Sequence, residues 1–124
     1  MSMATQNRRA GTIYFKVDGY QYDAKGDFTY NLGNPKREGI IGADGIHGFK
    51  ETPQLPYIEG KLTDKADLDL DRLTLLDDVT VTLELANGKV ITGANMWYAA
   101  DGNGSTGEAE LDVRFEGKTK LEEI

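Results

Sequence analysis

The residues of this chain that could do chemistry are few. His47 is the single histidine, and Asp44 stands just before it in the run Asp44-Gly45-Ile46-His47. A carboxylate beside an imidazole is the orienting half of a general-base pair, but the nucleophile that would complete the set is missing. There is no cysteine, and the serines, Ser2 and Ser105, lie in the polar N-terminal stretch and in a Gly-rich segment. One imidazole without thiols cannot build a histidine- or thiolate-based metal site. Asp101, Asn103, Ser105, Gly107 and Asp112 approach the ligand spacing of an EF-hand loop, yet Thr106 occupies the position where the sharp turn needs glycine, and strands are expected on both sides. Carboxylates are abundant, but no two stand out as the pair that glycoside hydrolysis requires. Neither of the glycine-rich patterns that cradle phosphate occurs. The residues therefore predict no catalytic activity, no cofactor and no metal, and His47 is read as a loop residue in a polar contact.

The elements that must position these residues form one domain, since 124 residues suffice for a single core. The formal charge of −7 argues against a conventional DNA-binding protein, whose affinity comes largely from neutralising phosphates. No apolar run approaches the roughly 20 residues that a membrane-spanning helix needs. Met1 to Arg9 is polar and lacks the apolar core of a secretory signal; with Arg8 and Arg9 it reads as a flexible arm over residues 1–11.

The remainder, residues 12–124, reads as a mainly β domain. Ile13, Phe15 and Val17 alternate with polar neighbours, and Asp18-Gly19 supplies a hairpin turn toward Tyr20–Tyr22. A further strand carries Phe28, Tyr30 and Leu32 against Asp27, Thr29 and Asn31. Residues 33–56, studded with glycine and proline, show no period and read as a long loop. Leaving Ile40, Ile41, Ile46 and Phe49 of that loop in water would cost roughly 25 cal/mol per Å² of apolar surface, so they are expected to be buried, by the domain's own core or by a neighbouring subunit. Tyr57, Ile58 and Glu59 begin another strand, which ends near Lys61 to Thr63. One short helix follows, with Asp69 as N-cap and with Ala66, Leu70 and Leu73 on one face. The acidic run Asp64 to Asp78 around it reads as a solvated surface. Val79, Val81, Leu83 and Leu85 form a strand that turns at Asn87-Gly88, expected as type I′, into Lys89 to Tyr98. Trp97 is expected as the large inward anchor of that strand, and Gly93 as a bulge or a close approach. The last long strand sets Ala109, Leu111, Val113 and Phe115 against Glu108, Glu110, Asp112 and Arg114, and Lys118 to Ile124 adds a short tail strand. The expected architecture is an antiparallel β-sandwich or barrel with one short α-helix and one long loop.

The order of these features resembles a known family. Its marks are Arg8 or Arg9, Ala10-Gly11-Thr12, Tyr14, Val17-Asp18-Gly19 and Tyr22. They continue through the run from Lys36 to Glu51, Pro56-Tyr57-Ile58-Glu59-Gly60, Leu83 to Lys89, and Val113 to Gly117. Together they are similar to the tail tube proteins of Mu-like bacteriophages, over nearly the whole chain. The resemblance implies a catalytically inactive virion protein with the fold of phage tail tubes and of the type VI secretion tube. Such proteins form hexameric rings that stack into the inner tube of a contractile tail, the conduit for genome ejection. The implied partners are further copies of the chain, the tail sheath protein, the tape measure protein and the baseplate or initiator, with viral DNA only in transit and no membrane binding. The implied location is the virion tail, reached from the host cytoplasm. On this view Arg8, Arg9, Lys36, Arg37, Ile40, Ile41, Asp44, Ile46, His47, Phe49 and Glu51 belong to assembly interfaces. Either the Asp27, Thr29, Asn31 face or the Glu108, Glu110, Asp112 face lines the channel. The alternative reading is a small carbohydrate- or ligand-binding β-sandwich using Trp97, Tyr98 and Tyr57 as an aromatic platform.

Overall fold

The computed structural model describes residues 11–124; Arg8, Arg9 and the rest of the expected arm before Gly11 lie outside them. The alternating sequence becomes alternating burial. Strand β1 (Tyr14–Val17) turns Phe15 and Val17 inward. Asp18 and Gly19 both take positive φ, 49° and 83°, as a type I′ turn demands, and the chain returns as β2 (Tyr20–Tyr22) with Val17 opposite Tyr20. The Asp18 amide donates to the Thr80 carbonyl and its carboxylate accepts from the Thr80 amide, each at 2.8 Å. These bonds tie the turn to its neighbouring strand.

Strand β3 (Ala24–Asn31) follows directly. Residues 33–56 then depart from expectation. They form not an aperiodic loop but an antiparallel hairpin, β4 (Lys36–Gly42) and β5 (Gly45–Thr52), which is a separate two-stranded sheet. The period of two was invisible because the chain buries neither face: every residue of β5 is exposed. The chain continues as β6 (Tyr57–Thr63), helix α1 (Leu70–Thr74), β7 (Val79–Glu84), β8 (Val90–Tyr98), β9 (Gly104–Ser105), β10 (Glu110–Glu116) and β11 (Glu122–Glu123). Asp69 caps α1 as its sequence predicts, its carboxylate accepting from the Arg72 amide at 3.1 Å. Leu73 is the residue the helix buries; Ala66, expected on the same face, precedes the helix and is exposed.

The main sheet runs β2-β1-β7-β8-β10-β6-β3, with β11 added to β8 and β9 to β10. It folds over itself through β8, which pairs with β7 from Val90 to Met96 and gives Trp97 and Tyr98 to β10. The bend lies at a bulge between the Val81–Gly93 and Val79–Met96 pairs, where Asn95 adopts φ 55°. A bulge adds one residue and so reverses the alternation beyond it. Met96, not Trp97, therefore becomes the fully buried anchor, and Trp97 is only half-buried. Gly93 is the expected close approach: a Cβ there would lie 2.6 Å from the Met96 sulfur.

Phe15 of β1 meets Phe28 of β3 at 5.0 Å and Phe115 of β10 at 6.0 Å between ring centroids, so the two halves of the sheet face one another across the core. Two local expectations change. The Asn87-Gly88 turn is not type I′: only Gly88 has positive φ, 91°. The Leu85 amide donates to the Lys89 carbonyl, and the Gly88 amide to Leu85. That is a three-residue loop of the type I plus bulge kind. Ala109 is exposed at φ 52°, because the inward alternation of β10 begins only at Leu111.

Val113 pairs with Gly60 in the neighbouring strand, and the ring of Phe28 lies where a Gly60 side chain would stand, its Cγ 2.5 Å from the position of a Gly60 Cβ. Gly60→Val should therefore overpack the core and cost about 1–3 kcal/mol, lowering the thermal midpoint by several degrees in calorimetry. Gly39→Val, in open space on the hairpin, should leave it unchanged.

Candidate assembly surfaces

The assembly residues expected within the described chain all fall on the β4–β5 hairpin. Lys36 pairs with Thr52, Arg37 with Glu51, Glu38 with Lys50, Gly39 with Phe49 and Ile40 with Gly48. The register then shifts, so that Ile41 opposes Ile46. The two isoleucines are 81% and 80% exposed, Phe49 52% and Ile40 42%. Of the two possibilities for burying them, the domain's own core is thereby excluded. An isolated two-stranded hairpin is marginal in water. This one is held along its stem by the Arg37–Glu51 bond at 3.1 Å and by Glu38 bridging Lys36 and Lys50, each at 3.7 Å. The Arg37 guanidinium also lies 4.6 Å from the Phe49 ring centre.

The tip is built around His47. Its ring occupies the space a side chain at Gly42 would need, and its Nε2 lies 2.6 Å from the Asp44 carboxylate. That hydrogen bond, more than any other influence, holds the Asp44 carboxyl below the usual carboxylate range. The predicted polar contact of His47 is thus present, as a brace for the turn.

The second surface is the outer face of the β3–β6–β10 half. Its two expected candidate faces are one. Thr29 opposes Glu59 and Asn31 opposes Tyr57 across one edge of β6; Asp112 opposes Lys61 and Glu110 opposes Thr63 across the other. Asp27, Thr29 and Asp112 line the same hollow of about 480 Å³. Glu108 joins at the rim, its carbonyl accepting from the Lys25 ammonium. The residues missed from the sequence are those that knit the face together. Lys61 holds Glu110 at 3.2 Å and Asp112 at 3.1 Å. Lys25 reaches Glu110 at 3.5 Å. Arg114 holds Glu116 at 2.7 Å together with Glu59, over the Tyr57 ring at 4.1 Å from its centre. The hydrogen bonds to Asp112 and then Glu110 raise the Lys61 pKa. The alternation of Glu59 and Lys61 in β6 was the available signal, but only the register shows which charges meet. Among the described residues, Lys25, Lys61 and Arg114 of this face are each held by its own carboxylates.

The aromatic platform of the alternative reading is not assembled. Tyr98 turns edge-on to Phe115 and donates its hydroxyl to the Asp112 carbonyl at 2.7 Å, while Arg114 covers Tyr57.

Residues 6–122 match the family described as phage tail tube protein. Over 100 residues the chain is 27% identical to the Mu-like prophage FluMu tail tube protein of Haemophilus influenzae, covering 81% of this chain and 82% of that one. Two solved structures share the fold. The sheath/tube terminator of the extracellular contractile injection system PVC, in its extended state, aligns with TM-score 0.64 at 9% identity, over 90% of this chain and 92% of that one. The tube-terminating cap of the anti-feeding prophage aligns with TM-score 0.65 at 11% identity, over 100% and 95%. The matched family is one of structural tail components rather than enzymes. With the family match spanning nearly every residue and the β architecture in agreement, the chain belongs to the phage tail tube protein family.

Proposed function

We propose that copies of this chain close into hexameric rings and that the rings stack into the inner tube of a contractile tail, the conduit through which the genome leaves. The observation that carries this reading is the hairpin. It presents Ile41, Ile46, Phe49 and Ile40 to solvent on a stem that pairs with no other strand among the described residues. Covering the nearly bare Ile41 and Ile46 on a neighbouring copy would contribute about 1.5–3 kcal/mol each, and the half-covered Phe49 and Ile40 less. In a ring, exposed sheet edges are also removed by neighbours.

The charged face of β3, β6 and β10 lines the channel. A wall for moving DNA must not offer free cations to phosphate. Lys25, Lys61 and Arg114 are each held by carboxylates, and Asp27 and Glu108 add further negative charge. Phosphate is repelled along the wall and held nowhere. The sheath protein surrounds the tube, the tape measure protein occupies the channel before the DNA, and the baseplate or initiator starts assembly in the host cytoplasm.

Electron microscopy of the purified protein, at high concentration or with its initiator, should show tubes with a central hole; a strictly monomeric protein under all these conditions would sink the reading. Removing residues 36–50 should abolish tubes while leaving a cooperatively folded sandwich, its melting point within about 4 °C of the intact chain. Unfolding of that variant would assign the hairpin to the domain's own stability instead. In the tip, the depressed Asp44 pKa means that its contribution is complete above the ordinary carboxylate value and is lost as pH falls through the lowered one. A carboxyl-carbon NMR titration should place Asp44 below its normal range, and His47→Ala should raise it back toward that range.

A further inference from the structure

The chain contains two Asn-Gly steps, Asn87-Gly88 and Asn103-Gly104, and the fold treats them differently. An asparagine before glycine can lose its side-chain amide when the next backbone nitrogen attacks the carboxamide carbon, because glycine puts no Cβ in the way. The attack needs that nitrogen without a hydrogen-bond acceptor and the carboxamide able to turn onto it. At the first step both are engaged. The Gly88 amide donates to the Leu85 carbonyl at 3.0 Å, and the Asn87 Oδ1 accepts from the Lys89 amide at 3.0 Å. Reaction there requires the turn between β7 and β8 to open first.

At the second step neither is engaged. Gly104 opposes Leu111 in the β9–β10 ladder, and the Asp112 amide donates to the Asn103 carbonyl at 3.0 Å. Hydrogen-bonded and non-hydrogen-bonded positions alternate along an antiparallel pair. Gly104 therefore sits at a non-hydrogen-bonded position, its N–H points away from β10, and it meets no acceptor among the described residues. The Asn103 side chain opens onto the hollow of the charged face, with no hydrogen bond of its own among the described residues. Both residues are exposed. Packing demands the glycine: a Cβ at Gly104 would lie 2.9 Å from Cδ2 of the buried Leu111.

We propose that Asn103 is a site of spontaneous deamidation in the folded protein, and that Asn87 is shielded from the same reaction. The Gly104 nitrogen bonds to the Asn103 side-chain carbonyl carbon and gives up its proton to solvent. The carboxamide C–N bond breaks, and its nitrogen leaves as ammonia, closing a succinimide. Water then opens that ring at either carbonyl, giving aspartate or isoaspartate, with no change in oxidation state. Either product adds one carboxylate to the hollow that Asn103 shares with Asp27, Asp101 and Asp112. Isoaspartate also routes the main chain through the former side chain, at the residue whose carbonyl holds the Asp112 amide. That the hollow faces the channel rests on the assembly reading above; the reactivity of Asn103 does not.

The test is peptide mass mapping of the full chain, incubated warm at mildly alkaline pH and sampled over time. The peptide holding Asn103 should exchange amide for acid at least about fivefold faster than the peptide holding Asn87, the scale of one backbone hydrogen bond that must open first. In the urea-unfolded chain the two should react at comparable rates, since only the Asn-Gly step itself then remains. Asn103→Gln should remove the fast reaction and leave the slow one. Equal native rates, a faster Asn87, or an Asn103 that is inert in the folded chain while the unfolded chain reacts overturns the proposal. A native difference that persists unchanged after unfolding overturns it too, because local sequence and not the fold would then be the cause. The channel reading is checked separately in assembled tubes, where Asn103 should go on reacting on a wetted wall. Protection that arises only on assembly would put this face between copies and overturn the channel assignment, leaving the reactivity of the unassembled chain standing.

Discussion

A flat sheet of these strands would leave Phe15, Phe28 and Phe115 on an open face in water. Strand β8 prevents that by belonging to both halves of the sheet, pairing with β7 along most of its length and with β10 at Trp97 and Tyr98. The bulge before Met96 supplies the bend, and Gly93 lets Met96 and Leu121 approach where a side chain would collide. Once the halves face each other, the three phenylalanine rings lie within 5.0 to 6.0 Å of contact partners, and among the described residues the buried set contains no polar or charged side chain. Everything polar is consequently displaced to the surfaces, where an assembling protein can use it.

That displacement gives the charged outer face its character. In the β3–β6–β10 half, cross-strand neighbours bring Lys61 between Glu110 and Asp112, and Arg114 between Glu59 and Glu116. Partly exposed ion pairs of this kind add little stability, about 0–1 kcal/mol each. Their consequence is for the field the face presents: cations are neutralised in place and the surplus charge is negative. This is the property that makes the face suitable as the proposed channel wall.

The hairpin follows the opposite logic. Among the described residues its strands are bonded to each other and to no other strand, and its largest apolar side chains stand in solvent. A soluble monomer gains nothing from such an element. This exposure is what the proposed assembly reading rests on: there the hairpin is completed by another copy.

The sequence by itself determined which segments are strands wherever one face is buried. β1, β7 and β10 were legible from period-two alternation, the first hairpin from Asp18-Gly19, the helix start from Asp69, and the lack of catalytic machinery from its missing nucleophile and metal ligands. The family was legible too, in the runs from Lys36 to Glu51 and from Pro56 to Gly60. The hairpin was not, because the alternation that marks a strand is written by burial, and nothing among the described residues buries a face of β4 and β5. Trp97 was misplaced because one bulge reverses inside and outside beyond it. Only the tertiary structure decided that the Asp27, Thr29, Asn31 set and the Glu108, Glu110, Asp112 set share one face. Local sequence dictates which way a side chain points from its own strand, whereas the partner it meets depends on register between strands distant in the chain.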